Sequence, residues 1–140
     1  LSSAYARQEP LARLGRPLLA GLVDRVGESA HLAVLHGRDV PYLGEERAKN
    51  RPSLVTDVGV RLPAHLTASG RAILAALPAS QLRALSPDKA AFAVRQPDPA
   101  ITGYGQLKSH LEQVRRRGYA TEEGDVTPGF GSLAVAALDH

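Results

Sequence analysis

The hydrophobic period of this chain changes abruptly at Gly27, and no other feature limits its fold as strongly. Before the change, "LARLGRPLLAGLVDRV" (residues 11–26) places Leu11, Leu14, Leu18 and Leu22 at helical spacing, with Leu19, Val23 and Val26 widening the stripe. Pro17 lies inside that stripe, so the helix either kinks there or a second one starts. After Gly27, "SAHLAVLHG" alternates with period two. Leu32, Val34 and His36 fall on one face, and His31, Ala33 and Leu35 on the other. A chain that moves from period 3.6 to period two must pack helix against sheet.

The rest of the sequence extends that pattern. Gly37–Arg38 reads as a tight turn into "DVPYLGE", a second strand in which Pro41 requires a sheet edge or a bulge. "ERAKNRP" is a polar loop, and "SLVTDVGVRLPAH" offers one or two short strands broken at Gly59 and Pro63. Helices are expected over 69–77 and over "PASQLRALS", then mostly loop over 87–103. The next helix spans Tyr104 to Arg117, with Leu107, Leu111 and Val114 as its buried stripe. Arg115, Arg116 and Arg117 fall in its last turn, where positive charge suits the helix dipole, and Gly118 ends it. "GYATEE" and "FGSLAVAALD" read as two strands around a turn. Strands, then helices, then strands predict an α+β fold with an antiparallel sheet.

Composition narrows the function. The 140 residues fit one domain, with 44% hydrophobic and 22% charged side chains. No apolar run is long enough to cross a bilayer. Cysteine is absent, which excludes disulfides and thiolate metal sites and is what a cytoplasmic protein shows. The basic excess is small, 17 Lys and Arg against 14 Asp and Glu, and aromatics are few. A chain that grips nucleic acid by itself carries a basic stripe or recognition helix, and this one does not. Methionine is absent even at position 1, which fits a piece of a longer protein.

Local chemistry points in several directions. In "LPAHLTASGRAILAAL" (62–77), Thr67, Ser69 and Gly70 precede an apolar helix. The hydroxyls can cap that helix, Ser69 can be a nucleophile, or the small residues can cradle an anion on the first N–H groups. The nucleophile reading lacks the glycine two residues before the serine that a strained elbow requires, and no Asp–His pair relates to Ser69. His31, His36, His65, His110 and His140 lie at no metal-ligand spacing, so no metal is expected and each reads as a surface or packing residue. Glu122, Glu123 and Asp125 in "ATEEGD" can serve acid–base chemistry or a solvated turn.

Three blocks in order, "GESAHLAVLHGRDVPYL", "VGVRLPAHLTASGRAILAALP" and "RRRGYATEEGDVTPGFGSLAVAALD", resemble the effector-binding domain of the IclR family of bacterial transcription regulators. The middle block is close to that family's signature of Leu-Pro-x-His followed by Thr-Ala-Ser-Gly-Arg/Lys-Ala. The resemblance runs from Leu11 to Asp139. It implies a GAF-like fold, a curved antiparallel sheet flanked by helices, that binds a small organic ligand without a cofactor. Residues 1–10 then correspond to the end of a linker helix and 11–140 to the effector domain. The winged helix-turn-helix that contacts DNA would lie outside this chain, and a further strand and helix would follow it.

The resemblance also implies a site. In members that bind small oxo-acids, backbone N–H groups hold the ligand carboxylate, at positions that match Ala68 and Ser69 here, with Gly70 adjoining. The acidic position matches Glu122, which is longer than the usual Asp. The small polar position matches Ser132, where Cys is frequent, and apolar lining positions match Leu54, Leu62 and Phe130. The expected partners are a small carboxylate and further copies of the chain, as a dimer or tetramer. Leu133 to Leu138 would form an exposed edge strand. Two other classes remain open at this point: an assembly module without a ligand, and a hydrolase using Ser69.

Overall fold

A computed structural model describes residues 3–49, 61–85, 92 and 100–138. The order of elements is α1 (Ser3–Val26), β1 (Ala30–Ala33), β2 (Asp39–Glu46), β3 (Arg61–Pro63), a 3-10 turn (Ala64–Leu66), α2 (Ala68–Ala75), α3 (Ala79–Leu85), α4 (Tyr104–Arg117), β4 (Ala120–Glu123) and β5 (Gly131–Ala134). Runs of antiparallel strands and runs of helices succeed one another, the expected α+β class. No helix among the described residues is long and apolar enough to cross a membrane. The residues fall into two compact units, one within Leu1–Val34 and Pro41–Arg61, the other within Leu35–Val40 and Leu62–His140.

In the first unit α1 packs on β1, and it does so closely because Gly15 has no side chain. A Cβ on Gly15 would lie 2.8 Å from Leu32 Cδ2. Gly44 of β2 likewise leaves room for Leu19, whose Cδ1 is 3.6 Å from where a Cβ would stand. The contact face therefore contains Gly15 and Leu19, and the leucine stripe lies elsewhere: Leu11, Leu14, Leu18, Leu22 and Val26 are all exposed. Pro17 does not start a second helix, since α1 is one helix with Pro10 and Pro17 inside it.

β1 and β2 pair antiparallel with His31 opposite Glu45, Leu32 opposite Gly44 and Ala33 opposite Tyr42, so Leu43 is a bulge. This decides between the two readings of Pro41. The sheet order is β1-β2-β3, so Pro41 is not on an edge strand; the strand that carries it has the bulge at Leu43, and Pro41 O accepts from Val34 N–H at 3.3 Å just beyond the end of β1. His31 and His36 do not share a strand as the alternation suggested. β1 ends at Ala33, and His36 instead closes the turn to Asp39 by two backbone hydrogen bonds of 2.9 and 3.1 Å.

The second unit is organised by α2, which packs against α4, β4 and β5. Leu66, Leu74, Leu82, Ile101, Leu107 and Leu111 are fully enclosed there. α4 has the expected buried stripe of Leu107, Leu111 and Val114. It ends at Gly118, whose φ of 86° lets its N–H reach Val114 O at 2.8 Å. Arg115 Nε donates to Ala75 O at 2.8 Å, tying the ends of α4 and α2 together, so the arginine run belongs to a helix terminus. β4 and β5 pair with Glu122 opposite Ser132. β5 is only four residues long, and 135–138 carry no ladder, so the edge strand expected over Leu133 to Leu138 stops at Ala134. The strand reading of "RLPAH" also ends early: after Pro63 the backbone turns into the 3-10 segment, and 53–60 lie outside the described residues.

Candidate functional site

The start of α2 is built by Thr67. Its extended backbone (φ −107°, ψ 148°) makes it the N-cap, and its Oγ1 accepts a hydrogen bond from Gly70 N–H at 2.8 Å. Arg71 N–H donates to Thr67 O at 3.0 Å. Of the first four N–H groups, those of Ala68 and Ser69 therefore have no partner among the described residues, and they sit at the positive end of the helix dipole. The capping hydroxyl belongs to Thr67, and Ser69 is half-buried in the first turn.

Gly70 contributes no free N–H. A Cβ at this position would stand 2.1 Å from Ala64 O and 2.5 Å from Ala64 Cα. Only glycine lets the 3-10 turn cross so close to the helix, and this sets the path by which Leu62 and His65 reach the core. Both are buried, His65 edge-on to Phe92 with ring centroids 5.4 Å apart.

β4 and β5 supply the polar half. Glu122 is 5% exposed, and its Oε1 accepts from Ser132 Oγ at 3.1 Å across the ladder. Its Oε2 accepts from Asp125 N–H at 3.2 Å. Burial pushes the Glu122 carboxyl above its ordinary range, and the Asp125 charge adds to that. The hydrogen bonds from Ser132 and Asp125 N–H and the charge of Arg71 pull the other way. Glu123 next to it is exposed, so the acidic run divides into one solvated and two buried carboxylates. Ser132 and Phe130 are exposed, Phe130 by 44% on the turn that leads into β5. Leu54 lies outside the described residues.

Two residues that local motifs did not single out as a pair join these halves. Arg71 is 1% exposed and donates three hydrogen bonds: Nε to His65 O (2.8 Å), Nη1 to Thr121 O (2.8 Å) and Nη2 to Asp125 Oδ2 (2.9 Å). Asp125 is buried as well. The available signal was a lone charge inside an apolar helix, which must find a partner somewhere in the fold. A separate cavity of about 570 Å³ runs along α4, lined by Ile101, Gln106, Ser109, His110 and Gln113 among others, and none of the α2, β4 or β5 residues border it. His110 Nε2 is buried there without a hydrogen bond among the described residues, and burial followed by the Arg71 and Arg117 charges lowers its pKa.

This arrangement has relatives. The family model described as "Bacterial transcriptional regulator IclR C-terminal" matches residues 3–140. The chain belongs to the IclR family. This IclR C-terminal domain is 32% identical over 138 residues to the HTH-type transcriptional regulator BhcR of Paracoccus denitrificans, covering 98% of the chain and 48% of the relative. Among solved structures it resembles IclR of Thermotoga maritima (TM-score 0.86, 27% identity, 99% of the chain and 55% of that one). It also shares its fold with an IclR homolog of Microbacterium hydrocarbonoxydans complexed with 4-hydroxybenzoate (TM-score 0.75, 24% identity, 96% and 53%). The IclR domain thus spans about half the length of these relatives, of which BhcR is a transcriptional regulator. The expected GAF-like α+β fold is the one observed.

Proposed function

We propose that this chain is the effector-sensing domain of a cytoplasmic IclR-type regulator and that it binds a small organic carboxylate at the start of α2. One observation carries the reading: two backbone N–H groups without a partner among the described residues, of Ala68 and Ser69, open a helix that packs against the strands of the hydrogen-bonded Glu122–Ser132 pair. The N–H groups suit an oxyanion, and the pair suits a hydroxyl or carbonyl elsewhere on the same ligand. Leu62 and, from the resemblance, Leu54 and Phe130 supply apolar contacts. The domain binds and releases its ligand unchanged. Effector binding then favours one arrangement of a homo-oligomer, a dimer or tetramer, and shifts operator affinity of an upstream winged helix-turn-helix.

The test is calorimetric titration of the chain with glyoxylate, pyruvate and 4-hydroxybenzoate. At least one acid binds the wild type. Ala68→Pro removes one donor while keeping a residue that suits the first helical position, so affinity falls about tenfold with the fold intact. Ser69→Ala, which keeps the backbone donor, stays within twofold. No binding by any acid, or equal affinity in wild type and Ala68→Pro, overturns the reading.

A further inference from the structure

We infer that Arg71 is the positioning residue of this site: through Asp125 it sets the separation between the α2 donors and the Glu122–Ser132 pair. The inference rests on the carboxylate-binding reading above and adds a residue that touches no ligand.

The geometry carries it. Arg71 stands one residue beyond Gly70, in the same turn as Ala68 and Ser69, so its main chain moves with their N–H groups. Its side chain ends on Thr121 O, the residue before Glu122, and on Asp125 Oδ2. Asp125 in turn gives its N–H to Glu122 Oε2. Each member of the ion pair is thus one helical turn or one hydrogen bond away from one half of the site. The third bond, to His65 O, holds the guanidinium plane against the 3-10 turn. Three acceptors on three segments match the planar fork of arginine, whereas a lysine here would bring a single charged nitrogen to them.

Stability alone is a weak reason for such a pair. Desolvation of two buried charges largely offsets their attraction, and apolar residues of similar volume commonly do as well. What an apolar pair cannot do is link a helix start to a strand pair through directional bonds. Among the described residues the charges that act on Glu122 are Arg71 from α2 and Asp125 from the β4–β5 turn, so this pair couples a change at Glu122 to α2.

The experiment reads the link with and without a ligand, on the chain and on Arg71→Lys and Asp125→Asn. Backbone amide spectra are followed through the titration of Glu122. In the wild type the Ala68 and Ser69 amides shift with the Glu122 midpoint. In both variants that shift disappears while the amides of α4 stay in place, and affinity for whichever of glyoxylate, pyruvate and 4-hydroxybenzoate the wild type binds falls at least tenfold. Either variant suffices if the other fails to fold. Wild-type amides that ignore Glu122, or a folded variant that keeps both the shift and the affinity within twofold, overturn the inference. A wild type that binds no acid removes the carboxylate-binding reading, and the amide titration still decides the role of Arg71.

Discussion

Gly70 and Arg71 are neighbours on one helix turn, and each is tied to its place by a different constraint. Gly70 is a matter of space: adding one methyl drives Ala64 O, 2.1 Å from the new atom, out of its position. Gly70→Ala is expected to cost about 3 kcal/mol, since backbone has to move, and a urea melt checks it. Glu122 is a matter of charge. Burial raises its carboxyl pKa, so the folded chain holds this proton more tightly than the unfolded chain. The stability it contributes is complete below the unfolded pKa and is lost as pH rises through the raised folded value. Glu122→Gln, which cannot ionise, is therefore more resistant to urea than wild type at about pH 7 and no more so at about pH 4. An advantage that grows toward low pH contradicts the assignment.

Elements here end where capping chemistry ends them. α2 starts at Ala68 because Thr67 offers an acceptor to Gly70 N–H, and α4 stops at Gly118 because its backbone turns left-handed. Thr67→Val keeps the shape and removes the acceptor, at about 1 kcal/mol in the same melt. The boundaries of α3 and α4 were legible in the sequence for this reason, since proline, glycine and a leucine spacing act locally. β5 was not. "FGSLAVAALD" has the alternation of a longer strand, but a strand persists only as far as a neighbour pairs with it, and β4 pairs with four residues. The face of α1 was hidden for the same kind of reason. Helical spacing marks an apolar stripe, whereas a close approach of sheet to helix selected Gly15 and Leu19 for the contact.

At the scale of the molecule, the deeply buried leucines among the described residues lie in the second unit, around α2 and α4. Amides of Leu107 and Leu111 are expected to exchange slowest, and those of 135–138 at nearly free-chain rates, in a hydrogen-exchange series. Arg71→Ala leaves Asp125 buried without its cation and is expected to cost about 3–5 kcal/mol, a large part of a domain's margin. The sequence alone determined the α+β class, helices over "PASQLRALS" and 104–117, a helix beginning near Ser69 and, through the three blocks, the family. These follow from local periodicity, local capping and short motifs. Only the tertiary structure decided that Gly70 N–H is occupied, that Pro41 sits on a middle strand, and that Arg71 joins two segments 54 positions apart through Asp125. Which donors stay free and which charges meet depends on how distant segments pack, and a one-dimensional pattern carries no record of that distance.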